Sequence, residues 1–289
     1  MWIAISNAIG QRVGTGGGPG PGYTPILDDY PNAAAAYSVR LLSSSFSGSA
    51  LRVRRTVAPF DEQDIGFDSN GELDTAAITT FGGSDSLTLS AWYDQSGSGN
   101  NATQVTASSQ PQIYNGTAVI TENGKPAVKF DGSNDFLTTA SFAVTDGEWY
   151  ASAVCTQTAL SSKGKIWSAD QRGQTRTAQF INMANGTSQT IAFTTTTKID
   201  SGPTYTAGEQ CLLTAQNQSN ALEIFKNGIG NGPVDGSNQV TATRTCEIGA
   251  AGTSNNEHNG TIQEVVHWAT SQSNRTGIES NINTYFSIY

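Results

Sequence analysis

The chain has 289 residues and a formal net charge of -9 from 24 acidic and 15 basic side chains, with only 13% of positions charged. This balance repels polyanions and provides no concentrated Lys and Arg surface, which excludes a nucleic-acid binder. The length suits one large β domain, whose solubility must rest on Ser, Thr, Asn, Gln and Gly.

The opening stretch MWIAISNAIGQRVG has no basic leader, and its apolar run is broken by Ser6 and Asn7, so no signal peptide is expected. No apolar run is long enough for a transmembrane helix, and no membrane association is expected. Residues 1–13 read as an arm with Trp2, Ile3, Ile5 and Ile9 as anchoring side chains, although a first strand of the body fits them equally. Residues 14–25 come next as a linker, with six glycines and two prolines in the first nine positions. The body is expected over 26–289. Its first element reads as a helix over 31–46, with Pro31 at the start, four alanines, and Tyr37, Leu41 and Leu42 at helical spacing. In LRVRR, Arg52, Arg54 and Arg55 alternate with Leu51 and Val53 like a strand face, and ion pairs explain them better than a phosphate site.

Short β-branched or alternating runs fill most of the remaining chain, punctuated by Asn123-Gly124, Asp131-Gly132, Asn227-Gly228 and Asp235-Gly236. Many short strands with such turns imply an all-β sandwich. The chain closes on a helix near 274–286, with Ile278, Ile282 and Phe286 on one face and an Arg275 to Glu279 pair. Cys155, Cys211 and Cys246 form no metal or redox motif and read as small buried thiols. His258 and His267 lack further ligands, and DQSGSGNNA has one carboxylate where a calcium loop needs several. No metal and no cofactor are expected.

AYSVRLLSSSFSGSALRVRR, DIGF, GELDTAAI, WYDQSGSGNNATQ, QPQI and GKPAVKFDGSNDFL together resemble the catalytic domain of the fungal α-L-arabinofuranosidase B family. They also resemble the concanavalin A-like, laminin-G-like domains of tailed-virus (bacteriophage) structural proteins. The most specific piece is the loop with Trp92, Tyr93, Asp94, Gln95, Gly97 and Asn100. The resemblance implies a concanavalin A-like jelly-roll sandwich of two antiparallel sheets. Retaining glycosidases need two carboxylates across the scissile bond. The positions matching the family's pair are Ala184, in Met183-Ala184-Asn185, and Ala251, after Ile248-Gly249-Ala250, so the resemblance implies a domain without that activity.

Other carboxylates are weaker candidates. Asp131 precedes Gly132 in a tight turn where an aspartate normally bonds its own backbone, Glu264 fits a buried pairing with an arginine, and Asp135 and Glu247 stand beside them unassigned. The expectation is therefore a virion structural protein: a capsid decoration, head fibre or tail appendage, anchored by its arm to a capsid or tail partner and assembled in the host cytoplasm. A homo-oligomer, with a trimer as one form, suits such an appendage. The alternatives are an adhesion module for host-surface glycans, with Trp167, Asp170, Arg172 and Asn255 as candidate sugar contacts, and a glycoside hydrolase of the arabinofuranosidase type.

Overall fold

The computed structural model describes residues 23–145, 147–158, 164–168, 180–183, 190–191, 203–230, 232–236, 241–250 and 257–289. The arm and most of the linker, with Trp2, Ile3, Ile5 and Ile9, lie outside them. Asp170, Arg172, Ala184, Ala251 and Asn255 lie outside them as well.

Strands rich in Val, Ile, Leu and aromatic residues assemble into two antiparallel sheets. In the back sheet, Ala221–Lys226 pairs with Gln210–Gln218, then Trp149–Gln157, then the long strand Asn259–Trp268. Ala35–Ser38 and Val128–Asp131 share the far edge of that long strand, one above the other. The front sheet runs Glu62–Ile65, Leu51–Arg55, Ser86–Trp92, Ala102–Thr103, Leu137–Thr139, Glu247–Ile248, Gly164–Ser168 and Phe180–Met183. Gln112–Asn115 pairs with Ser86–Trp92 and reaches Val128–Asp131, so the sheets join at that margin. The all-β sandwich read from the sequence is the fold observed.

All nine residues of Trp149–Gln157 are buried, so both faces of this strand are covered, the polar Ser152, Thr156 and Gln157 included. The front-sheet strand Gly164–Ser168 packs over it on one side. Trp92, Trp149, Trp167 and Trp268 are fully enclosed, and the Trp167 ring stands against Tyr37 and His267 of the back sheet.

The C-terminal helix spans Arg275–Phe286 and buries Ile278, Ile282 and Phe286. The Asn274 side chain caps it by accepting from Gly277 N at 3.1 Å, and Arg275 pairs with Glu279 as the spacing predicts. No helix among the described residues is long and apolar enough to cross a membrane.

The helix expected over 31–46 is corrected. The short helix near the start is Ile26–Asp29, and Ala35–Ser38 is a strand, all four residues buried. Alanine favours helix when nothing else decides, but here Ala35, Ala36, Tyr37 and Ser38 pair in register with His267, Val266, Val265 and Glu264. Tertiary pairing overrides propensity. A helix not foreseen, Thr75–Gly82, starts where Asp74 accepts from Ala77 N at 2.9 Å. The Asn123-Gly124 and Asn227-Gly228 pairs hold the positive φ angles of tight hairpin turns. Ser219-Asn220 makes the same kind of turn without glycine, at φ 53 and 64.

Candidate active site

Cross-strand neighbours in a sheet share a face, and successive residues alternate faces. Ile248 is level with Leu137 and Trp167, and Trp167 points into the core. The adjacent row therefore points outward: Glu247 lies between Thr138 and Ser168, Thr138 is level with Thr103, and Thr103 with Ala91. The row continues to Arg52 and Asp64 at the sheet's far side. It is polar along most of its length, open at Thr103 and closed over at Glu247, which is 3% exposed.

Local geometry fixes the strand that carries Glu247. Before it, Cys246 and Thr139 exchange hydrogen bonds: Cys246 N donates to Thr139 Oγ1 at 2.8 Å, and Thr139 N to Cys246 O at 2.9 Å. Burial raises the Cys246 thiol well above its ordinary range, so this cysteine stays protonated and is no nucleophile. After Glu247, Gly249 has φ 84, and a Cβ there would stand 2.2 Å from the Phe130 ring. Only glycine lets the strand end cross Phe130. His258 N donates to Gly249 O at 2.7 Å. The His258 ring is buried with Nε2 between Thr156 O at 3.1 Å and Thr261 O at 3.3 Å, and burial lowers its pKa to about 4. It is a neutral structural donor rather than an acid-base group near pH 7.

Three further carboxylates that the sequence singled out have defined structural roles. Glu264 forms a bidentate pair with Arg40, Nε to Oε2 at 2.7 Å and Nη2 to Oε1 at 3.0 Å, with both side chains fully buried. Asp131 Oδ1 accepts from Ser133 N at 2.8 Å and Asn134 N at 3.1 Å, the self-bonded turn anticipated from its glycine neighbour. Asp135 accepts from Asp131 N at 3.0 Å, and burial together with the Asp131 charge raises its pKa to about 7. Asp135 lies in the turn before the strand Leu137–Thr139 and belongs to that turn's own hydrogen bonding. By register with Thr138 and Ser168, Glu247 lies in the interior of the front sheet's outer face, with Asp64 at the sheet's far edge.

The loop after Trp92 is a clamp. Asp94 accepts from Ala36 N, Ser96 N, Ser96 Oγ and Asn100 N, all at 2.8 to 2.9 Å. Gln95 N donates to Ala36 O; its side chain accepts from Leu42 N and donates to Ser38 O and Arg40 O. Asn100 Nδ2 donates to Ala34 O at 2.8 Å. These bonds satisfy the outer edge of Ala35–Ser38, while Gly97 and Gly99 take positive φ on the exposed rim. Trp92 is core, its indole N–H donating to Ser38 O.

Tyr93 faces outward, and its hydroxyl donates to Asp64 Oδ1 at 2.7 Å. Arg52 grips the same carboxylate from Nε at 2.7 Å and Nη2 at 2.9 Å, holding it below the usual carboxylate range. Burial and this hydrogen bond push the Tyr93 hydroxyl up to about 12. The expected ion pairing of the arginine cluster thus has defined partners, with Arg55 on Asp85 at 2.8 Å and Arg54 over the Phe60 ring. Sequence inspection alone did not bring Arg52, Asp64 and Tyr93 together; the alternation in LRVRR was the available signal. Trp167 is enclosed between the sheets and offers no face to a sugar, because its ring fills the core beside His267.

A family model described as the catalytic domain of α-L-arabinofuranosidase B matches residues 27–165. The sandwich superposes on a variant of a family 54 α-L-arabinofuranosidase soaked with 4-nitrophenyl α-L-arabinofuranoside, with a TM-score of 0.69 at 18% identity over 93% of this chain. The chain has the arabinofuranosidase B catalytic-domain fold. A second structure with this fold, an arabinofuranosidase complexed with arabinofuranosyl-alpha-1,2-xylobiose, gives a TM-score of 0.65 at 18% identity, again over 93% of this chain. The chain spans 66% and 65% of the lengths of those two proteins. No curated protein sequence matches it.

These matches to the arabinofuranosidase B catalytic-domain fold overturn the expectation of a virion structural protein with a capsid or tail location. They overturn the non-enzyme assignment too. That assignment rested on Ala184 and Ala251, both outside the described residues, and left Glu247 unassigned.

Proposed function

We propose that the chain is a glycoside hydrolase domain acting on terminal α-L-arabinofuranosides, with Glu247 as one of its two carboxylates. The observation that carries this reading is Glu247 itself, a nearly buried glutamate on the outer face of a front sheet whose fold is that of arabinofuranosidase B. Glycosidic cleavage needs a second carboxylate across the bond, one group protonating the leaving oxygen while the other attacks or activates water. Asp170, two residues beyond Ser168 in the sequence, is the candidate put to test. Thr138 and Ser168 flank Glu247 and restrict where its carboxylate can lie.

The test is release of nitrophenol from 4-nitrophenyl α-L-arabinofuranoside. The parent chain should turn it over, and Glu247→Gln and Asp170→Asn should each lower kcat/KM by a factor of roughly a hundred or more with unchanged melting curves. No turnover by the parent on this substrate or on arabinan would sink the proposal. Full activity of Glu247→Gln would remove Glu247 from it.

A further inference from the structure

Two adjoining cavities, of about 620 and 330 Å³, meet at the half-buried ring of Phe46. The larger is bordered by Pro31, Asn32, Ser45 and the rim Gln95 to Ser98. The smaller is bordered by Ser49, Asp64, Tyr93 and Asn101. We propose that together they form a second sugar-binding groove, remote from Glu247, that holds a neutral oligosaccharide chain across Phe46 and Tyr93.

Four observations support this. Phe46 and Tyr93 present aromatic surface within a lining that mixes serine hydroxyls, the amides of Asn32, Gln95 and Asn101, the aliphatic Leu27, Pro31 and Ala33, and the carboxylates Asp64 and Asp94, a combination that recognises a polyol with apolar ring faces. Phe46 is held in place, lying over Gly48 and edge-on to Phe67 at 6.5 Å. The polar groups are prearranged: Arg52 and Tyr93 both bond Asp64, which fixes the tyrosine ring and leaves a rigid donor and acceptor cluster on the wall. The groove also carries little net charge of its own. Among its described lining residues the acids are Asp64, neutralised by Arg52, and Asp94, whose oxygens already accept four hydrogen bonds. A phosphate or uronate would find no uncommitted cation there, and a neutral sugar needs none.

Its position suits an extended chain. Arg52 and Glu247 belong to one outward row four strands apart, roughly 19 Å at ordinary strand spacing. A polysaccharide crossing the front sheet can therefore touch both while remaining too far for one sugar to fill both. Arabinose as the bound sugar rests on the hydrolase reading above; the groove does not.

Affinity electrophoresis of the intact chain through gels containing arabinan, arabinoxylan or polygalacturonate tests the groove without requiring turnover. The parent should be retarded by a neutral polymer, and Phe46→Ala should weaken that retention about tenfold. Tyr93→Phe, which keeps the ring and loses the bond to Asp64, should weaken it less. Turnover of 4-nitrophenyl α-L-arabinofuranoside by Phe46→Ala should stay within about twofold of the parent. Retention that depends on Phe46 in a chain without turnover would keep the groove and defeat the hydrolase reading. Active parent with no retention on neutral polymers, retention unchanged in both variants, or preference for polygalacturonate would overturn the groove.

Discussion

Arg40 shows how one side chain can tie several segments together. Its guanidinium bonds both oxygens of Glu264, donates to Asn281 Oδ1 on the C-terminal helix at 3.0 Å, and lies against the rings of Tyr23, Tyr285 and Phe286. A fully buried ion pair contributes little net stability, but breaking it strands a charge away from water. Glu264→Gln should therefore cost roughly 3 to 5 kcal/mol, measured by urea unfolding, whereas replacing both partners with apolar residues should recover most of that loss. The buried titratable groups act in opposite pH ranges. His258 and His267 have pKa values lowered by burial to about 4 and about 3 from 6.5, so the folded state binds fewer protons. Their stabilising contribution is complete above pH 6.5 and is lost as the pH falls towards 3. Neither ring nitrogen of His267 has a partner among the described residues, which makes protonation there especially costly. Asp135, raised to about 7 from 3.8, works the other way: the folded state holds the proton longer, and stability falls as the pH rises from about 4 to about 7. Melting scans should show Asp135→Asn gaining on the parent at pH 8 and not at pH 4, and His267→Leu flattening the acid limb. A parallel offset of either curve across the whole range would contradict the assignment.

Among the elements, the loop from Asp94 to Asn100 acts as a substitute strand edge. Its side chains bond Ala36 N, Leu42 N, Ser38 O and Arg40 O, groups that a neighbouring strand would otherwise satisfy. Asp94→Ala would leave Ala36 N and the loop's own donors unpaired and should lower stability by about 3 kcal/mol in urea unfolding. Turnover per folded molecule should be unaffected, because the carboxylate faces away from the front row. A chain of unchanged stability would refute this role. The same loop marks the limit of what the sequence disclosed. Its tight composition, the Asn-Gly turns and the spacing of Ile278, Ile282 and Phe286 are local signals and were legible. The four alanines before Tyr37 misled, because Ala35 and Ala36 are held in a strand by pairing with His267 and Val266 at the far end of the chain. Glu247 was visible as a carboxylate but not as a member of the outward row. Its face depends on register with Thr138 and Ser168, contributed by distant segments, and a shift of one residue would reverse it.

For the whole molecule, the sandwich separates support from display. The back sheet, covered by the front sheet and flanked by the C-terminal helix, holds His267, the Glu264 that pairs with Arg40, and many of the large apolar side chains. The front sheet turns one face to that core and the other outward, so Trp167 and Glu247, on adjacent rows of neighbouring strands, face opposite ways. Polar substitutions on the outward row thus change recognition with little effect on the core, and substitutions on the inward row do the reverse. The pairing of Ala35–Ser38 with Asn259–Trp268 also sets a timetable for biogenesis. The first back-sheet strand made by the ribosome has its neighbour in almost the last one, and Glu247–Ile248 likewise completes the middle of the front sheet late. Loop closure over such separations is slow. A growing chain must keep Ala36, Tyr37 and Tyr150 waiting for Val266, Val265 and Trp268, and this places its aggregation hazard in translation rather than in the finished protein.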